Sequence, residues 1–216
     1  MGLLDRLAPR KNEPDVRPQG SNAGPVEDLV FPTKALPKFL QTLTSRELPV
    51  LLDLGPVVGS NVGFFGEQLG CKIFVEDIFA DVERHVREGK LEELPGFLEK
   101  RFPQGDGEVD GILCWDLIDY LDRPAAQQLA TQLSRVLRAD GALLGLFGSA
   151  PPQDSRYTKF IIVDEANLKY RSYAAARGRQ AVLLNRDIIR LFPGLRVSDS
   201  FLLKNNVREI LFRKPA

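Results

Sequence analysis

The sequence predicts an α/β fold: a doubly wound, mostly parallel sheet with an antiparallel hairpin at its carboxy-terminal end. Three observations predict it. Short apolar runs without polar alternation recur at 50–54, 73–75, 109–115 and 142–147, the pattern of strands covered on both faces. Between them lie segments with apolar residues three and four apart, the spacing of one helix face. The chain then closes differently, with strands at 197–203 and 207–212 around Asn205-Asn206, where asparagine tolerates positive φ and can turn a hairpin.

Taken in order, residues 1–28 read as a disordered tail. Pro9, Pro14, Pro18, Gly20, Gly24 and Pro25 interrupt any regular element, and apolar residues are scarce after Leu7. Leu3, Leu4 and Leu7 fit either a frayed end or one turn of a docking helix. The domain is expected over 29–216. Thr33 can cap a helix whose inner face is Leu36, Phe39, Leu40 and Leu43. Pro49 precedes the first strand, Val50 to Leu54. Gly55 to Asn61 is a turn, and Val62, Phe65 and Leu69 mark a helix ending at Gly70. Ile73-Phe74-Val75 is the next strand, closing on Glu76-Asp77. Residues 79–105 read as helical, with no convincing strand. Val109 to Trp115 is a strand. Asp122-Arg123-Pro124 starts a helix, with Asp as cap and Pro in the first turn; Leu129, Leu133, Val136 and Leu137 face inward, and Asp140-Gly141 stops it. Ala142 to Phe147 is the fourth buried strand. Phe160 to Val163 is an apolar run, 168–173 alternates weakly, and Asn185 can cap a short helix carrying Ile188, Ile189 and Phe192.

Composition narrows the function classes. Of 216 residues, 44% are hydrophobic and 27% charged, which is globular and excludes collagen-like and low-complexity chains. Two cysteines, Cys71 and Cys114, exclude a disulfide scaffold and read as buried thiols of a reducing compartment. One histidine and two separated cysteines offer no metal signature. Apolar runs stay well short of the ~18 residues a membrane span needs, and Met1 to Arg10 lacks a signal-peptide core, so a cytoplasmic protein without membrane partners is expected. Formal net charge is zero, which weighs against nucleic acid as a partner. The charge is unevenly spread: residues 76–122 hold 14 acids and 5 bases, whereas residues 151–216 hold 13 bases and 6 acids.

Four motifs carry the chemistry. Asp53-Leu54-Gly55-Pro56-Val57-Val58-Gly59-Ser60-Asn61 is a glycine turn between strand and helix. Such a turn lets backbone approach a ligand and aims helix N–H groups at it. Glu76-Asp77 ends the next strand, where an acid can accept hydrogen bonds from ribose hydroxyls. Asp110 to Asp116, with Asp119-Tyr120-Leu121 after it, is the third. Arg135-Val136-Leu137-Arg138-Ala139-Asp140-Gly141 is the fourth. In this order they resemble the class I S-adenosylmethionine-dependent methyltransferases, over roughly residues 33–147. The resemblance implies a Rossmann-like methyltransferase fold, with the hairpin as the family's reversed last strand. It implies S-adenosylmethionine as cofactor, held by Asp53, Gly55, Gly59 and Glu76 or Asp77, with Trp115 either lining the cleft or sitting in the core. Two departures stand out. Val57 replaces the middle glycine, and the acid that contacts adenine after the third strand has no counterpart.

Asp116, Asp119 and Tyr120 sit where this fold keeps acceptor-contacting groups. A carboxylate or phenol there can orient an acceptor or take its proton; capping of a local helix explains Asp116 and Asp119 equally. His85, in a charged helical stretch, reads as solvated. Arg171, Arg177, Arg179, Arg186 and Arg190 read as a solvated face, or as a grip on an anionic acceptor. The expected function is methyl transfer to an unidentified acceptor, small molecule or protein. The alternative is a catalytically inactive binding module on the same fold with its pocket damaged at Val57. A nicotinamide-dependent oxidoreductase shares the glycine turn but fits the Arg-Val-Leu turn and the antiparallel ending poorly.

Overall fold

The computed structural model describes residues 28–151, 154–180 and 182–216. In chain order it holds β1 (Leu29–Pro32), α1 (Ala35–Thr44), β2 (Val50–Asp53), α2 (Gly59–Gly63), β3 (Lys72–Val75), α3 (Ile78–Glu88), α4 (Leu94–Lys100), β4 (Val109–Trp115), α5 (Arg123–Val136), β5 (Leu137–Gly148), β6 (Arg156–Asp164), β7 (Asn167–Ala174), α6 (Asn185–Leu191), β8 (Arg196–Leu202) and β9 (Val207–Arg213). The main sheet has six strands in the order β3-β2-β4-β5-β9-β8. β3, β2, β4 and β5 are parallel, and β9 runs antiparallel to both of its neighbours, β5 and β8. This is the doubly wound sheet with a reversed ending that the apolar runs and the hairpin predict.

Every residue of β4 is buried, because helices cover one face and a mixed layer covers the other. One core cluster joins the sheet to residues of α3, α4, α5 and α6, including Val82, Leu98, Leu129 and Ile188. The second joins its opposite face to α1, Phe65, and Phe160, Ile162 and Leu168 of β6 and β7. α1 lies so close to β4 that a Cβ at Gly111 would fall 2.6 Å from Leu43 Cδ2. Only glycine permits that approach.

No strand lies between α3 and β4; α4 and a short turn fill residues 91–100. β3 is therefore the edge of the main sheet. The acid expected after a third strand has no strand to stand on, as the sequence suggested.

Several local expectations are corrected. β1 pairs antiparallel with β7, which pairs with β6, in a separate three-stranded sheet. Four residues are too few to show a period, so β1 was not foreseen. Of the expected 1–28 tail, residues 1–27 lie outside the described residues, whereas Asp28 is ion-paired with Arg171 and near Lys169. The helix after the glycine turn continues as a π-helical turn, Phe64–Gln68. α5 ends at Val136, and Asp140, at φ 61°, lies inside β5 instead of stopping a helix. Leu184, not Asn185, is the N-cap of α6, and no side chain bonds there. His85 is buried, not solvated: its Nδ1 meets the Asp81 carbonyl at 2.7 Å, and its ring packs on Phe97.

Asp122 caps α5 as the sequence predicts, accepting from Ala125 N. Asp77, read from the sequence as a ribose acid, accepts from Ala80 N at the start of α3. α1 is capped from a distance. Thr33 Oγ1 accepts weakly from Leu36 N at 3.3 Å, while Glu209 of β9, fully buried, accepts from Lys34 N and Ala35 N at 2.8 and 2.9 Å. A buried carboxylate is tolerable only with such donors. Glu209→Ala removes the cap and strands both N–H groups, and is expected to lower unfolding free energy by about 2 kcal/mol. A reduced urea midpoint with unchanged m-value is the readout.

Candidate functional site

The glycine turn leaves the end of β2, beside the end of β4, the crevice where open α/β sheets bind ligands. Asp53 is the last residue of β2. Its Oδ1 accepts from Gly55 N at 3.0 Å and from the Trp115 indole Nε1 at 2.6 Å. Burial pushes the Asp53 carboxyl up to about 6, against those two hydrogen bonds. Trp115 closes β4 at φ 49°, a left-handed conformation costly for a bulky residue. Its indole lies over Gly55, where an added Cβ would meet Cδ1 at 2.8 Å. The neighbour that demands glycine at 55 is therefore an indole of the chain itself.

β6 covers this turn. Phe160 stacks on Trp115, with centroids 5.2 Å apart and planes 7° from parallel. Asn61 holds β6 in place as a neighbouring strand would: its Nδ2 donates to the Phe160 carbonyl at 2.8 Å, and its Oδ1 accepts from Ile162 N at 2.9 Å. Gly59 opens α2 with nothing within 4 Å of a built Cβ. Val57, in the place of the middle glycine, is 64% exposed.

Glu76 directly follows β3, and its N–H donates to the Asp53 carbonyl at 2.7 Å. Its carboxylate pairs with Arg101 at 2.5 Å and accepts more weakly from Gln104. Asp77 is the α3 cap described above. Both acids at the ribose position thus have partners within the protein.

Between the glycine turn and β6 lies a cavity of about 20 Å³ lined by Leu54, Gly55, Asn61, Trp115, Tyr157 and Phe160 among others. That is room for one water; sites for drug-sized ligands run to roughly 300 Å³ or more. As arranged, the residues around this cavity leave S-adenosylmethionine no room between the glycine turn and β6.

Beside the crevice the structure brings Asp116, Asp119 and Tyr120 together around Arg179. Arg179 Nη2 donates to Asp116 Oδ2 at 2.9 Å, and its Nε is 3.8 Å from Asp119 Oδ2. Gly148 N donates to Asp119 Oδ2 at 2.7 Å, and Tyr120 donates to Asp116 Oδ2 at 3.1 Å. Asp119 Oδ1 has no partner among the described residues. Burial outweighs these contacts: it raises the Asp116 carboxyl, raises Asp119 to about 7 and raises the Tyr120 phenol. Arg179 is thus no part of a solvated face; only a quarter of its side chain is exposed. Arg171 is bound to Asp28, Arg177 to Gln180, and Arg186 lies 3.8 Å from Asp187. Tyr157 and Phe160 escaped the sequence reading, since neither type nor spacing ties them to the glycine turn; Asn61 stood in the turn motif, but its bonds to β6 were not foreseen. Cys71 and Cys114 are free and buried, and burial raises both thiols. Among the described residues no group of three or more His, Cys, Asp or Glu is placed to hold a metal ion, and no helix is long and apolar enough to cross a membrane.

No family model matches the sequence. No curated protein matches it either. Solved structures match in fold. The methyltransferase CcbJ from Streptomyces caelestis is 10% identical, over 83% of this chain and 93% of its own, with a TM-score of 0.50. The cyclase SpnF is 12% identical, over 84% and 80%, with a TM-score of 0.51. An S-adenosylmethionine-dependent methyltransferase from Clostridium acetobutylicum is 12% identical, over 83% and 92%, with a TM-score of 0.49. The fold is that of the class I methyltransferases. Identities this low speak to fold and not to activity, and a cyclase among the neighbours underlines that one fold hosts several functions.

The raised acids set a pH dependence. Folded Asp119 keeps its proton up to about pH 7, whereas an unfolded Asp releases it near pH ~4. Its contribution to stability is therefore complete below pH ~4 and lost as pH rises toward 7. Relative to Asp119→Asn, the wild type is expected to lose stability across that window, measured as urea midpoints at fixed ionic strength. A difference that stays flat with pH would count against it.

Proposed function

We propose that this chain is a non-catalytic binding module built on the methyltransferase fold, its cofactor crevice closed by its own side chains. One observation carries the reading: the Trp115 indole, bonded to Asp53 and stacked on Phe160, occupies the space beside the glycine turn. The missing third strand supports it, as do the internal partners of Glu76 and Asp77. The module's partner is a small molecule or a protein. Asp119 is pushed into the range of a proton carrier, but its side-chain contacts are the Gly148 N–H and Arg179. No catalytic step is assigned to it.

Methyl transfer from S-adenosylmethionine is the second reading. It is favoured by Asp53, Gly55 and Gly59, which keep the strand-to-helix turn with an open approach at Gly59. It requires β6 and Trp115 to move off the turn.

Calorimetric titration of the folded protein with S-adenosylmethionine and S-adenosylhomocysteine separates the two. No binding is expected up to millimolar ligand. Micromolar binding by either ligand would overturn the non-catalytic reading and return methyl transfer to first place.

A further inference from the structure

A cavity of about 480 Å³ lies between the turn after β4, the start of α5, and α6. It shares no lining residue with the closed crevice. Its volume is in the range that small-molecule sites occupy, roughly 300–1,000 Å³. Ile118, Leu121 and Ala126 form one wall, and Leu183 and Leu191 the facing one.

The charged groups of the lining differ in how far they are already committed. Asp122 keeps its charge and accepts from Ala125 N through Oδ1. Asp187 lies 3.8 Å from Arg186. Asp119 is buried beside Arg179 and holds its proton toward neutrality. Arg123 and Arg190 are exposed, and neither is ion-paired among the described residues. The lining charges with no ion-pair partner or backbone bond among the described residues are thus two guanidiniums, Arg123 in the first turn of α5 and Arg190 in the last turn of α6. A guanidinium fork matches the oxygens of a carboxylate or phosphate.

We propose that this cavity binds a small amphipathic anion, an apolar chain or ring ending in a carboxylate or phosphate. The apolar body lies between the Ile118–Leu121–Ala126 wall and the Leu183–Leu191 wall, and the head meets Arg123 and Arg190. The inference goes beyond the reading above and does not need it, because the cavity is separate from the crevice. A chain that bound S-adenosylmethionine would still show the binding described next.

The test is calorimetric titration of the whole protein with decanoate, decyl phosphate and decanol, each below its aggregation concentration. At least one of the two anions is expected to bind, at least tenfold tighter than decanol. The tighter of the two identifies the head as carboxylate or phosphate. Arg123→Gln with Arg190→Gln changes exposed residues only, and is expected to weaken the anion at least tenfold without touching decanol. Leu183→Arg, which fills the cavity from a half-buried position, is expected to abolish binding of all three. No binding of either anion by the folded protein would overturn the proposal. So would decanol binding equal to that of the anions, or anion affinity unmoved in the arginine double variant.

Discussion

The 2.6 Å hydrogen bond from the Trp115 indole to the Asp53 carboxylate joins the ends of two adjacent parallel strands. Much of the crevice depends on it. Asp53 is buried, and a buried carboxylate without donors is costly; the indole and the Gly55 N–H are its two donors. To supply one of them, Trp115 takes a left-handed backbone conformation, and its ring then lies where a side chain at 55 would be. Phe160 stacks on a face of that ring, and Asn61 fixes the strand that carries Phe160. One polar contact in an apolar setting thus recruits the second sheet as a cover.

The cluster around Arg179 acts as a wall between the closed crevice and the larger cavity. Asp116 lines the first and Asp119 the second. A buried guanidinium between two carboxylates adds little net stability, because desolvation offsets much of the attraction. It does define which oxygens are satisfied and which are left free. The result is a carboxyl near neutrality next to the one roomy cavity among those described above.

The regular framework was legible in the sequence because it rests on local rules. Unbroken apolar runs marked β2, β3, β4 and β5; Asp122 and Asn206 stood where a cap and a turn were needed. The absent third strand could be read from the helical spacing of 79–105. The failures share a cause. β1 is too short to carry a pattern, His85 sits among charges yet packs inward, and Arg179 looks like its exposed neighbours. Val57 breaks the glycine pattern and is mostly exposed, while Trp115, which matches no disruption in the motif, stands over Gly55.

By itself the sequence determined the fold class, the order of the main-sheet strands and the helices between them, and the placement of an acid and two glycines at the β2 turn. These follow from periodicity and turn chemistry within a few residues of one another. Only the tertiary structure decided what stands over that turn. The covering residue Phe160 is 45 positions from Trp115, and Asn61 bonds to a strand about a hundred residues away. Such contacts depend on how a second sheet docks against the first. No local pattern encodes that, because burial, shape and the pairing of polar groups across the interface are settled only when the distant segments meet.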